Sequence, residues 1–122
     1  ITAAGQVKVN NTVVVNDIGT VGTATLTTAA TTAGQVLNSV AIATYRVATY
    51  KVSITSGAAY HYTEISILQD GTNVYITEIN TMKSGATLAT FTADISAGNM
   101  RLLTTPTNAV TTYKAVSVLI AV

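Results

Sequence analysis

Apolar and polar residues alternate one by one along most of this chain, and a period of two belongs to a half-buried β-strand, not to a helix. Between Thr44 and Ser56, Ala48, Tyr50, Val52 and Ile54 share one face while Thr49, Lys51, Ser53 and Thr55 share the other. Tyr60 to Gln69 repeats the pattern, with Thr63, Ile65 and Ile67 opposed to Glu64 and Ser66. Gly57 to Ala59 lies between them, so the two runs form a predicted hairpin. Asp70-Gly71-Thr72-Asn73 follows. Asp-Gly tolerates the positive φ angles of a tight turn, which predicts a further strand over Val74 to Asn80.

The alternation continues toward the C-terminus. Lys83-Ser84-Gly85 reads as a turn before Ala86 to Ile95, where Ala89, Phe91, Ala93 and Ile95 alternate with Thr90, Thr92 and Asp94. Phe91 is expected in the core. Ser96-Ala97-Gly98-Asn99 turns the chain into Met100 to Thr104, which Pro106 ends. A last strand, Thr111 to Val122, places Val116, Val118, Ile120 and Val122 on one face. Toward the N-terminus, Val7 to Asn16 reads as a strand and Asn16 to Gly19 as its turn. Thr20 to Gly34 is a run of Thr, Ala and Gly with little to bury, either a strand whose small side chains pack on another subunit or a loose linker. Gln35 to Ala43 resumes strand. Six or more strands spaced about 8 to 12 residues apart predict an all-β fold, a single antiparallel β-sandwich or jelly-roll-like domain. It spans residues 1–122, with 1–34 as a candidate N-terminal arm or assembly segment.

Composition limits function. Charged residues make up 9% of the chain and the net charge is +1, against about a quarter charged in an average domain. So weakly charged a surface suits coverage by other subunits, since a free monomer usually keeps more charge. The cations, Lys8, Arg46, Lys51, Lys83, Arg101 and Lys114, are scattered, so no basic stripe exists for nucleic acid. Cysteine is absent, which excludes disulfides and thiolate metal sites. The longest apolar run, Ala115 to Val122, is too short for a helical membrane span, which takes about 20 residues. The chain begins at Ile1, which is read as the result of processing or of a segment boundary.

Residues for chemistry are scarce. His61 is the single histidine, and without a second imidazole or a cysteine it has no partners for a tetrahedral metal site. Its neighbours Ser56 and Glu64 lie within one hairpin, an arrangement that seldom builds a nucleophile, base and orienting acid, so His61 is expected to be an ordinary exposed strand residue. The acids Asp17, Glu64, Asp70, Glu78 and Asp94 form no calcium loop. No catalytic, cofactor or metal-binding residues are expected, and the chain is read as a non-enzyme. Tyr45, Tyr60, Tyr62, Tyr75 and Tyr113 offer flat amphipathic surfaces for subunit or sugar contact. The sharpest candidate for glycan or partner contact is Tyr60, Tyr62 and Tyr75, which the Asp70-Gly71 turn would bring together. Cross-strand aromatic packing is the plainer reading.

The stretch ATYRVATYKVSITSGAAYHYTEISILQDGTNVYITE, Ala43 to Glu78, continued by GATLATFTADISAGNMRLLTTPT, Gly85 to Thr107, resembles a β-rich module of structural proteins of tailed phages, particularly marine and cyanobacterial ones. The resemblance rests on order and spacing. Tyr-Arg precedes an alternating strand, Thr-Glu an apolar run, Asp-Gly-Thr a Tyr-containing strand, and Ala-Thr-Phe with an Asp-Ile-Ser turn precedes Arg-Leu. It implies a virion protein: a tail, fibre or capsid-decorating subunit, homo-oligomeric and in contact with other virion proteins. It brings no catalytic residues. A host-receptor or glycan-binding tip is the alternative, and a β-rich cell-surface filament subunit the next. Edge strands at Val7 to Asn16 or Thr111 to Val122 are expected to extend a neighbour's sheet.

Overall fold

The computed structural model describes residue 10 and residues 12–122. These fold into nine strands: β1 (Val13–Val15), β2 (Gly19–Thr27), β3 (Gln35–Ala41), β4 (Tyr45–Ser56), β5 (Ala59–Gln69), β6 (Val74–Lys83), β7 (Ala89–Ser96), β8 (Asn99–Pro106) and β9 (Thr112–Ala121). A six-stranded sheet in the order β1-β2-β9-β4-β5-β6 faces a three-stranded sheet in the order β3-β8-β7. Every pairing is antiparallel, so the fold is the all-β sandwich that the alternation predicts.

The core lies between the sheets and is made by one face of each strand except β1 and β6, which have no buried residue. On β4 this is the face of Ala48, Tyr50, Val52 and Ile54, and on β5 that of Ile65 and Ile67. Met100 and Leu102 of β8 close it from the small sheet. Phe91 is half-buried at the rim, with its ring edge-on to Tyr113 at 6.2 Å. Tyr113 itself is 0% exposed. It is a core residue and not one of the surface tyrosines expected from the sequence, because β9 turns Tyr113, Ala115, Ser117 and Leu119 inward.

The same strand corrects a second expectation. β9 is not an edge but lies between β2 and β4, pairing Gly19↔Ile120 on one side and Ala48↔Leu119 on the other. It therefore cannot extend a neighbour's sheet. The edges of the large sheet are β1 and β6. Of the strand expected over Val7 to Asn16, the described part is β1, and residues 1–9 and 11 lie outside the described residues.

Part of the small-residue run, Gly19–Thr27, forms strand β2 inside the sheet. Its inward residues Thr20 and Ala24 are buried by this chain's own core, where the Tyr45 hydroxyl reaches Thr20 Oγ1 at 3.3 Å. Gly22 leaves room where a Cβ would come within 3.2 Å of Thr12 Cγ2 and 3.3 Å of Ser117 Oγ. Small side chains here allow close strand approach and do not mark a linker.

Candidate functional site: the open sheet face and a polar groove

Among the described residues, the three-stranded sheet covers the inner face of the six-stranded one and nothing covers the outer face. Residues paired across antiparallel strands point the same way, so the register maps that face row by row. One row runs Val15, Gly19, Ile120, Val47, Leu68, Tyr75, and the next runs Val13, Val21, Val118, Thr49, Ser66, Thr77. Ile120, Val118 and Leu68 are 44%, 47% and 44% exposed. The Val116, Val118, Ile120 and Val122 face of β9 thus looks out to solvent. The charges on this face are few: Lys51 stands opposite Glu64, and Lys114 opposite Ser53. Two shallow depressions indent it. One of about 450 Å³ lies beside Lys51, Tyr62, Lys114 and Val116, and one of about 240 Å³ beside Val47, Leu68 and Tyr75.

The three candidate tyrosines all belong to this face but are not brought together. Tyr60 and Tyr62 sit at one end, with Tyr62 paired to Met82, whereas Tyr75 pairs with Leu68 near the Asp70 turn. Six residues of extended strand separate Tyr62 from Leu68, roughly 20 Å. Tyr60 and Tyr75 are well exposed and Tyr62 is half-buried. Tyr75 is fixed by its hydroxyl, which donates to Asp70 Oδ2 at 3.1 Å. The backbone N–H groups of Asn73 and Thr72 donate to the same carboxyl and, with the Tyr75 hydroxyl, hold it at about 2.

The second feature lies on the inner side of β6 and rests on a bulge. β5 and β6 pair regularly until Glu64↔Ile79, and pairing resumes at Tyr62↔Met82, so Asn80 and Thr81 together face Thr63. Asn80 takes φ 56°, a left-handed conformation that asparagine tolerates better than most residues. Its side-chain amide donates to Glu64 Oε2 at 2.9 Å. The extra residue shifts the alternation by one. Without it Lys83 would point outward; with it Lys83 turns inward, paired with His61. This feature was missed in the sequence, where the strand was expected to stop at Asn80.

His61 is not the exposed strand residue expected. It is 3% exposed, on the inner face, while Glu64 points to the opposite side of the strand. Nδ1 accepts a hydrogen bond from the Leu88 backbone N–H at 3.1 Å. Around it, Thr63 Oγ1 donates to Glu78 Oε2 at 2.7 Å and therefore accepts from Thr81 Oγ1 at 2.9 Å. Lys83 Nζ donates to Thr87 Oγ1 at 3.0 Å. His61, Glu78, Thr81, Lys83 and Thr87 line a cavity of about 270 Å³.

Burial, then the charge of Lys83, pushes the His61 pKa below 6.5, against an opposing pull from Glu78. The folded ring stays neutral where the unfolded chain begins to take up a proton. Stability is therefore expected to fall as pH drops below 6.5. The loss should precede any from Asp70, which begins only below 3.8. Urea unfolding from about pH 7 to about pH 5 checks this: the decline should be present in the parent and largely missing in His61→Gln, whose amide oxygen can still accept from Leu88. An equal decline in both would remove His61 as its cause.

The chain is thus an antiparallel β-sandwich with a wide uncovered sheet face. No protein-family model matches its sequence, and no curated protein does. Among solved structures it is similar to the tailspike protein of Acinetobacter phage vB_ApiP_P1, with a TM-score of 0.49 and 19% identity over 100% of this chain. It is also similar to the tailspike protein gp49 of Acinetobacter baumannii bacteriophage Fri1, a capsular polysaccharide depolymerase, with a TM-score of 0.45 and 17% identity over 92% of this chain. The chain spans 25% of the first protein and 20% of the second.

Proposed function

We propose that this chain is a structural module of a phage particle, a tail, fibre or capsid-decorating subunit, and that it acts by packing the outer face of its six-stranded sheet against further copies of itself. The observation that carries the reading is the exposed aliphatic field on β1, β2 and β9, where Val13, Val21, Val116, Val118 and Ile120 are 39% to 51% exposed. Aliphatic groups displayed side by side gain free energy when covered. The placement in a phage particle rests on the motif order from Tyr45 to Leu102.

Size supports an identical partner. Six strands about 4.8 Å apart and averaging about nine residues present roughly 900 Å², comparable to the ~800 Å² per side of a standard protein interface. With Lys51 and Lys114 set against Glu64, the face carries little charge to repel a second copy. The reaction is association alone, with hydrophobic burial as its driving force.

Sedimentation of the parent and of Val118→Lys tests this. The parent should sediment as an oligomer at micromolar concentration. A lysine in the middle of the face would be buried unpaired in the interface, so the dissociation constant should rise about a hundredfold or more. Because Val118 is 47% exposed, the variant's unfolding midpoint as a monomer should barely change. A parent that stays monomeric would refute the reading. A receptor or glycan-binding tip is the second reading, favoured by Tyr60 and Met82 standing 59% and 63% exposed beside Tyr62. Retention on a glycan array lost in Tyr60→Ala would favour it.

A further inference from the structure

One buried side-chain polar atom among the described residues has no hydrogen-bond partner, Nε2 of His61. Since Nδ1 accepts from Leu88, the proton of the neutral ring sits on Nε2, a buried donor without a partner on a residue that lines the cavity. Buried donors are almost always paired, and an orphan beside a cavity calls for a partner that the described residues do not supply. The other groups on that wall are amphoteric as a set: an anion, Glu78, a cation, Lys83, and the hydroxyls of Thr81 and Thr87. Both charges already engage hydroxyl groups, Glu78 through Thr63 and Lys83 through Thr87.

We propose that this groove between the β5–β6 hairpin and the start of β7 binds a small polyhydroxyl compound, a sugar or polyol carrying neighbouring hydroxyls. A hydroxyl oxygen both gives and takes a hydrogen bond. The first ligand hydroxyl accepts from His61 Nε2–H and donates to Glu78, and its neighbour accepts from Lys83. Phosphate and carboxylate ligands carry a negative charge that meets the Glu78 carboxylate unfavourably. A metal ion lacks ligands, since the described residues hold no group of three or more His, Cys, Asp or Glu side chains placed for one. The site is separate from the outer sheet face, so it stands or falls apart from self-association.

The test is a titration of nitrogen-15-labelled protein with glucose, galactose and glycerol, with inorganic phosphate and glycine as competitors. The resonance of His61 Nε2 and the amides of Lys83, Thr87 and Leu88 report binding. A saturable shift with a Kd in the millimolar range is expected for at least one of the polyols. Lys83→Met and Glu78→Gln should each weaken it about tenfold, the usual consequence of losing a charged hydrogen bond, while both stay folded with the parent's amide spectrum away from the groove, since the amide oxygen of Glu78→Gln can still accept from Thr63. Absence of a saturable shift with all three polyols overturns the proposal. So does tighter binding of phosphate or glycine, or a polyol shift that neither variant weakens.

Discussion

Replacing Gln69 with glutamate should destabilise the fold by about 3 kcal/mol or more at neutral pH, because a group that gives two hydrogen bonds becomes one that gives none. Gln69 is 1% exposed. Its Nε2 donates to the carbonyls of Ile42 at 2.9 Å and Tyr45 at 2.8 Å, and its Oε1 accepts from the Gly71 N–H at 2.6 Å. One side chain thereby ties the turn between β3 and β4 to the turn between β5 and β6. Arg46 adds a bond to the Gln69 carbonyl at 2.9 Å. A buried carboxylate in this position faces two carbonyl oxygens that it cannot bond, which raises its folded pKa above the unfolded value. The deficit against the parent should then be full at neutral pH and shrink as pH falls and the acid is protonated. Gln69→Leu removes the charge but strands the same two carbonyls and the Gly71 N–H, so it should cost about 2–4 kcal/mol without any added pH dependence. Urea unfolding of the three proteins at two pH values measures both effects. A glutamate variant within about 0.5 kcal/mol of the parent would show that the turns do not depend on this bridge.

Tyr113→Ala should cost about 3–5 kcal/mol, the range for emptying a buried aromatic site. The ring is fully buried on the central strand of the large sheet and meets Phe91 edge to face at 86°. Its hydroxyl accepts from Thr104 Oγ1 at 2.9 Å. Tyr113→Phe separates ring from hydroxyl. Thr104 also reaches the Thr90 carbonyl at 3.3 Å, so its proton keeps a partner and the loss should be about 1 kcal/mol. Thermal or urea unfolding of both variants gives the comparison. Equal costs for the two substitutions would place the energy in the hydrogen bond and not in the packing.

The sequence made β4 and β5 readable because each has one face of uninterrupted apolar residues and a turn whose chemistry is local, Gly57 and Asp70-Gly71. For β9 the alternation gave the two faces but not their directions. Val116, Val118 and Ile120 are more apolar than Tyr113, Ala115 and Ser117, yet the second set is buried. Which face turns inward depends on partners β2 and β4, and β2 lies roughly ninety residues away in the chain. β2 was obscure for a related reason: its inward side chains are small because their neighbours come close, a property of the pairing and not of the segment. The polar groove was hidden behind one extra residue. Strict alternation puts Lys83 on the same side as Thr81 and Ile79, and only the bulge at Asn80 moves it beside His61. The burial of His61 followed from strand parity with Thr63 and Ile65, a signal that was present.

The position of β9 has a consequence for the birth of the protein. Of the nine strands, β9 is the last to be synthesised, and it is the one that joins β2 to the β4–β5–β6 meander. Until it arrives, two halves of the sheet present unsatisfied ladders to each other and to every other nascent chain nearby. Closure of the large sheet must therefore wait for β9, and it should be slow, since the decisive contacts are the most distant in sequence. Crowded translation of many copies is the moment of greatest risk, when a neighbour's β9 can slot into the vacant place and knit two molecules together by exchange.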